Sequence, residues 1–299
     1  MREIIIDVDT GVDDSIAILL AIKSGVFKIK GITTVVGNTN LENATKNTLK
    51  VLNLAKNLDI PVYKGASRPL GGKAKQAPAH GNDGLCGVYL PPPIKKPEKL
   101  SANKFLLNTL LKNPGKIEIV ATAPLTNIAY LFKKYPKSKK KIKKLYIMGG
   151  AFERSGNITP FAEFNFYHDA KAAKIVLKSG VPMIIIPLDV TCQLPLTTSW
   201  MERNSGTSKD PITKFILKIV KKQREIMGGE MFYLHDPLAL GVAIDKSFVK
   251  TKKTKVDIIT YGKRRGMIVN SSKGAEVEWA FKLNKNKFFI YFKKMLLKK

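Results

Sequence analysis

The sequence predicts an α/β protein: one large domain over residues 1–299, with a mainly parallel, Rossmann-like central sheet flanked by helices and an active site at the carboxyl ends of the strands. Three observations predict it. The chain opens on an apolar β-branched run, Ile4-Ile5-Ile6, which places four aspartates, Asp7, Asp9, Asp13 and Asp14, in and just after its end. Strand-like and helix-like segments then alternate steadily. Polar clusters recur where strands end, the place at which open α/β sheets gather ligands.

Ile4–Ile6 reads as a strand buried on both faces and Ser15–Lys23 as a helix, so the acidic cluster sits at a strand-to-helix turn, where Gly11 is read as supplying backbone freedom. One or two acids before a helix are ordinarily caps. Four so close repel one another unless protonated or bridged by a cation, and all-oxygen ligands favour a hard ion, calcium or magnesium. Lys30–Val36 is the second strand; it ends in Gly37-Asn38-Thr39-Asn40, which puts Asn38 near the acids, although a turn asparagine alone is commonplace. A helix over Leu41–Leu58 and a strand over Ile60–Tyr63 follow. The glycine- and proline-rich stretch Lys64–Leu100 is long enough to be functional, and His80 within it is a candidate substrate contact or a plain surface histidine.

Ser101 is placed to cap a helix through Lys112. Ile117–Ala121 is a strand ending at Thr122, whose carbonyl then faces the crevice, and Pro124-Leu125-Thr126-Asn127 opens a helix. Leu145–Met148 is a strand ending in Gly149-Gly150. Beyond Asn157, the alternation in Ala162-Glu163-Phe164-Asn165-Phe166 predicts Glu163 and Asn165 pointing one way, an arrangement suited to a polyol. Asp169 begins the helix Ala170–Lys178, Pro182–Pro187 is a buried strand and Pro211–Met227 a helix. In His235-Asp236-Pro237, Pro237 suits the first position of a helix reaching Ile244, and Asp236 reads either as its cap or, beside a histidine, as an oxygen ligand. Strands near Lys255–Tyr261, Met267–Val269 and Glu276–Leu283 and a helix capped by Asn286 complete the chain.

Composition narrows the class. With 52 basic against 23 acidic residues the net charge is +29, which raises nucleic-acid or membrane-surface binding. The lysines are scattered, or run together in Lys133–Lys144 without a regular interleaving of aromatics, so a solvated surface is expected, with no nucleic-acid and no membrane partner. Two distant cysteines, Cys86 and Cys192, suggest neither a disulfide framework nor a zinc site, and no signal-like segment precedes the first strand; a cytoplasmic setting is expected.

Taken in order, Asp7-Val8-Asp9-Thr10-Gly11-Val12-Asp13-Asp14, Thr33-Thr34-Val35-Val36-Gly37-Asn38, Leu125-Thr126-Asn127-Ile128-Ala129, Met148-Gly149-Gly150, Ala162-Glu163-Phe164-Asn165 and His235-Asp236-Pro237 resemble the calcium-dependent nucleoside hydrolases of the inosine-uridine type. The resemblance covers nearly the whole chain. It implies a calcium ion, Ca2+, bound by Asp9, Asp14, the carbonyl of Thr122 and Asp236, with Asp7 in support and Asp9 also the general base. It implies that Asp13, Asn38, Asn157, Glu163 and Asn165 bind ribose, that Met148 and Phe164 pack on the sugar, and that His80 and His235 lie on the base side, His235 assisting the leaving group. Thr10 departs from the proline of many relatives, and the loop Met148–Asn157 differs in length from some.

The implied reaction is hydrolysis of a ribonucleoside to base and ribose by a calcium-bound water, through an oxocarbenium-like transition state. The histidine of His235-Asp236-Pro237, together with Gln223 upstream as a base-edge contact, leans the expectation toward uridine and cytidine, with inosine possible and a purine preference the alternative. Relatives imply a homodimer or homotetramer. Two rivals carry their own signals: a haloacid-dehalogenase-type phosphatase shares Asp7-Val8-Asp9 but needs a downstream acidic pair, commonly begun by Gly-Asp, a dipeptide this chain lacks. A basic nucleic-acid binder would have to bring phosphates past four carboxylates.

Overall fold

The computed structural model describes residues 1–72, 76–205, 207–229 and 231–297, so residues 73–75 of the long loop expected over 64–100 lie outside the described residues. Among them eleven strands form: β1 (Arg2–Val8), β2 (Phe27–Thr34), β3 (Val62–Lys64), β4 (Ile117–Ala121), β5 (Ile142–Met148), β6 (Met183–Ile186), β7 (Pro195–Thr197), β8 (Met231–Tyr233), β9 (Val249–Ile258), β10 (Ile268–Asn270) and β11 (Ala275–Leu283). Nine of them make one sheet in the order β10-β9-β11-β6-β5-β4-β1-β2-β3, and β7 and β8 pair separately. From β3 across to β11 every neighbouring pair is parallel; β9 and β10 add an antiparallel edge.

The stretch β3-β2-β1-β4-β5-β6 is the doubly wound order, in which the chain leaves β1 in one direction and later returns to fill the other side. The crevice of such a sheet lies outside the carboxyl ends of the two strands at the reversal. These are β1, which delivers the aspartates, and β4, which delivers Thr122.

The β-branched opening run forms this central strand because both of its faces are covered. Ile4, Ile6 and Val8 enter one hydrophobic cluster, with the helix Val12–Ser24, and Ile5 enters the other, with Ile119 and Ala121. All four strand residues are inaccessible to solvent, as the unbroken apolar run predicts.

Several local expectations are corrected. The helix expected to reach Leu58 ends at Leu54. Ser101 stands at the N-cap of Ala102–Lys112 without a capping bond from its side chain. The last helix, Lys285–Leu296, is capped by Asn284 rather than Asn286, because the Asn284 N–H is tied to the carbonyl of Phe248 (2.8 Å) and its side chain is left to accept from Lys287 N. The helix His235–Ile244 begins two residues before Pro237, which places Asp236 inside its first turn rather than at a cap. The Glu163–Phe166 alternation is not a strand: Phe164–His168 is a single helical turn.

Candidate active site

The turn after β1 is held by hydrogen bonds from segments far along the chain. Asn38 binds both Asp9 oxygens, its backbone N–H donating to Oδ2 (2.7 Å) and its amide to Oδ1 (3.2 Å), and the same amide reaches Asp14 Oδ2 (3.1 Å). Asp14 also accepts from Gly11 N (3.0 Å) and the Thr122 hydroxyl (2.8 Å). It therefore does cap its helix, from the third position, while also serving the cluster. Gly11 is needed for space rather than for backbone freedom: its φ is −98°, and a Cβ would stand 2.4 Å from His80 Nδ1. Beneath, Asp7 Oδ1 accepts from Thr33 Oγ1 (2.5 Å) and Asn127 Nδ2 (2.8 Å).

Asp7, Asp9, Asp13, Asp14 and Asp236 are all buried, and burial raises each carboxyl, with repulsion from neighbouring acids adding to it for all but Asp14: Asp7 to about 6, Asp13 to about 7, Asp9 and Asp236 well above the ordinary carboxylate range. Carboxylate oxygens of Asp13, Asp14 and Asp236 lie within 4.8 Å of one another. Asp13 Oδ1 and Asp7 Oδ2 have no hydrogen-bond partner among the described residues. Buried acids that repel, with two orphaned carboxylate oxygens among them, fit a hard divalent cation.

One cavity of about 450 Å³ lies over this cluster, a size suited to a small organic ligand. Asp13, Asn38, His80, Thr122, Met148, Asn157, Glu163, Phe164, Asn165, Gln223, His235 and Asp236 all line it, while Asp7, Asp9 and Asp14 lie outside that lining. Glu163 caps its helical turn, accepting from Asn165 N (2.7 Å), Gly150 N (3.0 Å) and Phe166 N (3.0 Å). The turn then carries Asn165 across to the Thr122 carbonyl (2.8 Å) and Asn157 Oδ1 accepts from Phe164 N (2.9 Å), so the two ends of the crevice are bonded together. Both histidines are neutral: burial brings His80 down to about 4, and burial with the neighbouring His80 and Arg154 brings His235 down to about 3. His80 Nδ1 accepts from Val12 N (3.0 Å), which leaves the ring hydrogen on Nε2.

A family model described as inosine-uridine preferring nucleoside hydrolase matches residues 4–290. The chain belongs to that family. Among its relatives, a probable uridine nucleosidase 1 of Oryza sativa subsp. japonica is 35% identical over 266 residues, 87% of this chain and 82% of the relative. The pyrimidine-specific ribonucleoside hydrolase RihA of Salmonella arizonae is 37% identical over 273 residues, 89% and 87%. The solved structure of a purine-preferring ribonucleoside hydrolase from Gardnerella vaginalis superposes with a TM-score of 0.91 at 30% identity, covering 98% of each chain. Membership in a nucleoside hydrolase family sets aside the phosphatase as a reading of the acidic turn.

Some residues of this nucleoside hydrolase crevice escaped the sequence reading. The sequence places Asn127 only at the opening of a helix, yet its side chain joins Asp7, the Thr34 carbonyl and Ala66 N. Tyr233, on the three-residue β8, stacks on His235 with ring centroids 5.7 Å apart and, with Phe232, Met227 and Met231, gives the cavity an apolar side. Asn127 lay in a motif and was findable there; β8 is too short for its periodicity to be seen.

Proposed function

We propose that this chain hydrolyses the N-glycosidic bond of ribonucleosides to free base and ribose, with uridine and cytidine preferred and inosine accepted. The observation that carries the reading is that a single cavity brings together buried carboxylates with no lysine or arginine paired to them among the described residues, the amides of Asn38, Asn157 and Asn165, and two neutral histidines. Asp9, Asp14, Asp236 and the carbonyl of Thr122 would hold Ca2+, with Asp13 beside them and Asp7 in support. When bound, the ion supplies positive charge that fixes sugar hydroxyls and makes a nearby water more acidic.

Asp9, fixed through both oxygens by Asn38, takes the proton of the attacking water. Asn38, Asn157, Glu163, Asn165 and Asp13 grip the ribose, with Met148 and Phe164 packed on it, and the carboxylates favour the positive charge that builds on the sugar as the bond breaks. His80 and His235 face the departing base. A neutral His235 donates a hydrogen bond from Nε2 as negative charge gathers on the base, rather than handing over its proton. Gln223 has a buried Oε1 without a partner among the described residues, and its amide offers a donor and an acceptor to a pyrimidine edge. The uridine and pyrimidine activities named for two relatives support the lean.

The test is free ribose released from uridine, cytidine, inosine and adenosine, with and without a chelator. Uridine and cytidine should lead, and the chelator should stop all four. Inosine leading by a large factor would replace the pyrimidine reading with the purine one, and no ribose from any of them would overturn the activity. We further propose a cytoplasmic homodimer or homotetramer, as the family resemblance implies; light scattering returning a monomer would refute the assembly.

A further inference from the structure

The His235 ring is held from behind by a side chain that the reaction described above does not use. We propose that Thr191 is a positioning residue: its hydroxyl orients the imidazole so that Nε2 carries a hydrogen toward the departing base. The inference rests on the reading of His235 as a donor to the leaving group.

Thr191 ends the one-turn helix Leu188–Thr191 that follows β6, and it is inaccessible to solvent. Its Oγ1 stands 2.7 Å from His235 Nδ1, across 44 residues of sequence, and is the partner of that nitrogen among the described residues. The threonine cannot drift. Its N–H is bonded to the Pro187 carbonyl (3.1 Å), its carbonyl accepts from Leu194 N (3.1 Å), and Leu194 in turn accepts from Leu234 N (3.3 Å), the residue before His235. The two partners therefore sit on one hydrogen-bonded frame, and Tyr233 stacks on the imidazole. With Nδ1 occupied by Thr191, Nε2 is the nitrogen left for a ligand in the cavity that His235 lines.

The kind of partner at Nδ1 decides what Nε2 can do. A carboxylate or carbonyl there would hold the ring hydrogen on Nδ1 and leave Nε2 a lone pair, the arrangement of a general base. A hydroxyl can take either part; under the proposal Thr191 Oγ1 takes the donor's, into the Nδ1 lone pair, which leaves the ring hydrogen on Nε2. Departure of the base is heterolytic: the electron pair of the N-glycosidic bond stays with the base, water adds to the anomeric carbon, and the base later takes its proton from solvent. His235 keeps its own proton throughout and stabilises the base by one hydrogen bond. Thr191 acts on this step alone, so its effect must depend on how much help the leaving group needs.

The test measures kcat and KM on uridine and on a nitrophenyl riboside, whose leaving group needs no such help, for Thr191→Val, Thr191→Ser and His235→Ala. For metal-binding histidines, loss of the hydrogen-bond partner on the other ring nitrogen costs roughly 10–100-fold in activity, and the same order is the expectation for Thr191. Thr191→Val should lose that factor in kcat on uridine with KM little changed and no comparable loss on the aryl riboside, and Thr191→Ser should restore it. If His235→Ala impairs uridine hydrolysis while Thr191→Val does not, the inference falls and the role of His235 stands. If His235→Ala itself leaves uridine hydrolysis intact, the reading beneath it falls. Equal losses on both substrates, unrescued by serine, would reduce Thr191 to packing. Nitrogen-15 NMR of the unsubstituted protein gives an answer independent of any variant: the neutral His235 ring should be protonated at Nε2, and a ring protonated at Nδ1 overturns the proposal.

Discussion

Gly37→Ala probes the base without touching it. Gly37 follows β2, and a Cβ built there would lie 2.0 Å from Asp9 Oδ2, 2.8 Å from Asp9 Cγ and 2.9 Å from Pro124 Cδ. A carbon needs about 3 Å or more from such an oxygen, so the carboxylate or the strand end must shift by about 1 Å. Neither is free to do so: Asn38 holds both Asp9 oxygens, and Pro124 blocks the methyl on its other side. A displacement of about 1 Å in a reacting group costs on the order of 10²-fold in rate, and overpacking of this kind costs about 1–3 kcal/mol in stability. The variant should fold, melt below the parent and hydrolyse uridine with kcat reduced by about 10²-fold. Gly229→Ala, where an added methyl meets nothing within 4 Å, is the control and should change neither quantity. A folded Gly37→Ala protein with the parent's kcat would show that Asp9 is not a positioned base.

Calcium should raise the melting temperature, because a divalent cation relieves repulsion among carboxylates that the fold buries together; at one hundred times its dissociation constant it adds about 2.7 kcal/mol, and a calorimetric trace unmoved by calcium or chelator would contradict the site. His168 should report burial through pH. Its ring is buried with both nitrogens unpartnered among the described residues, and burial, with the Arg265 charge beside it, lowers it to about 4. Because that value lies below the unfolded one, the unfolded chain binds the proton first, so the parent loses stability from this group as pH falls from about 6.5 toward 4. His168→Leu should therefore gain on the parent by about 2 kcal/mol between pH ~7.5 and ~5 in urea unfolding, and a pH-independent difference would show that the ring is not held neutral.

The sheet and the site differ in how much of them the sequence makes legible. Ile4–Ile6 could be read because a strand covered on both faces needs no polar alternation, and Asp9, Thr122 and Asp236 because strand ends and a His-Asp-Pro turn are local signals. What escaped depends on distant neighbours. The alternation around Glu163 predicts only that Glu163 and Asn165 point one way, because a five-residue run is compatible with either period, and the bonds from Gly150 N and Phe166 N make Glu163 a helix cap. The space demanded at Gly11 is set by His80, 69 residues away, and at Gly37 by Asp9, 28 residues back, so neither shows in its own surroundings. Thr191 sits in a single helical turn with no periodicity, and its meaning comes wholly from the ring it touches.

The most direct test of the account is the release of ribose from uridine by Asp9→Asn in saturating calcium. Asparagine keeps the shape of the side chain but cannot take a proton from water, and a positioned acid or base contributes roughly 10²-fold to 10⁴-fold. The account predicts a folded protein with kcat lower by that factor. A kcat close to the parent's would contradict it.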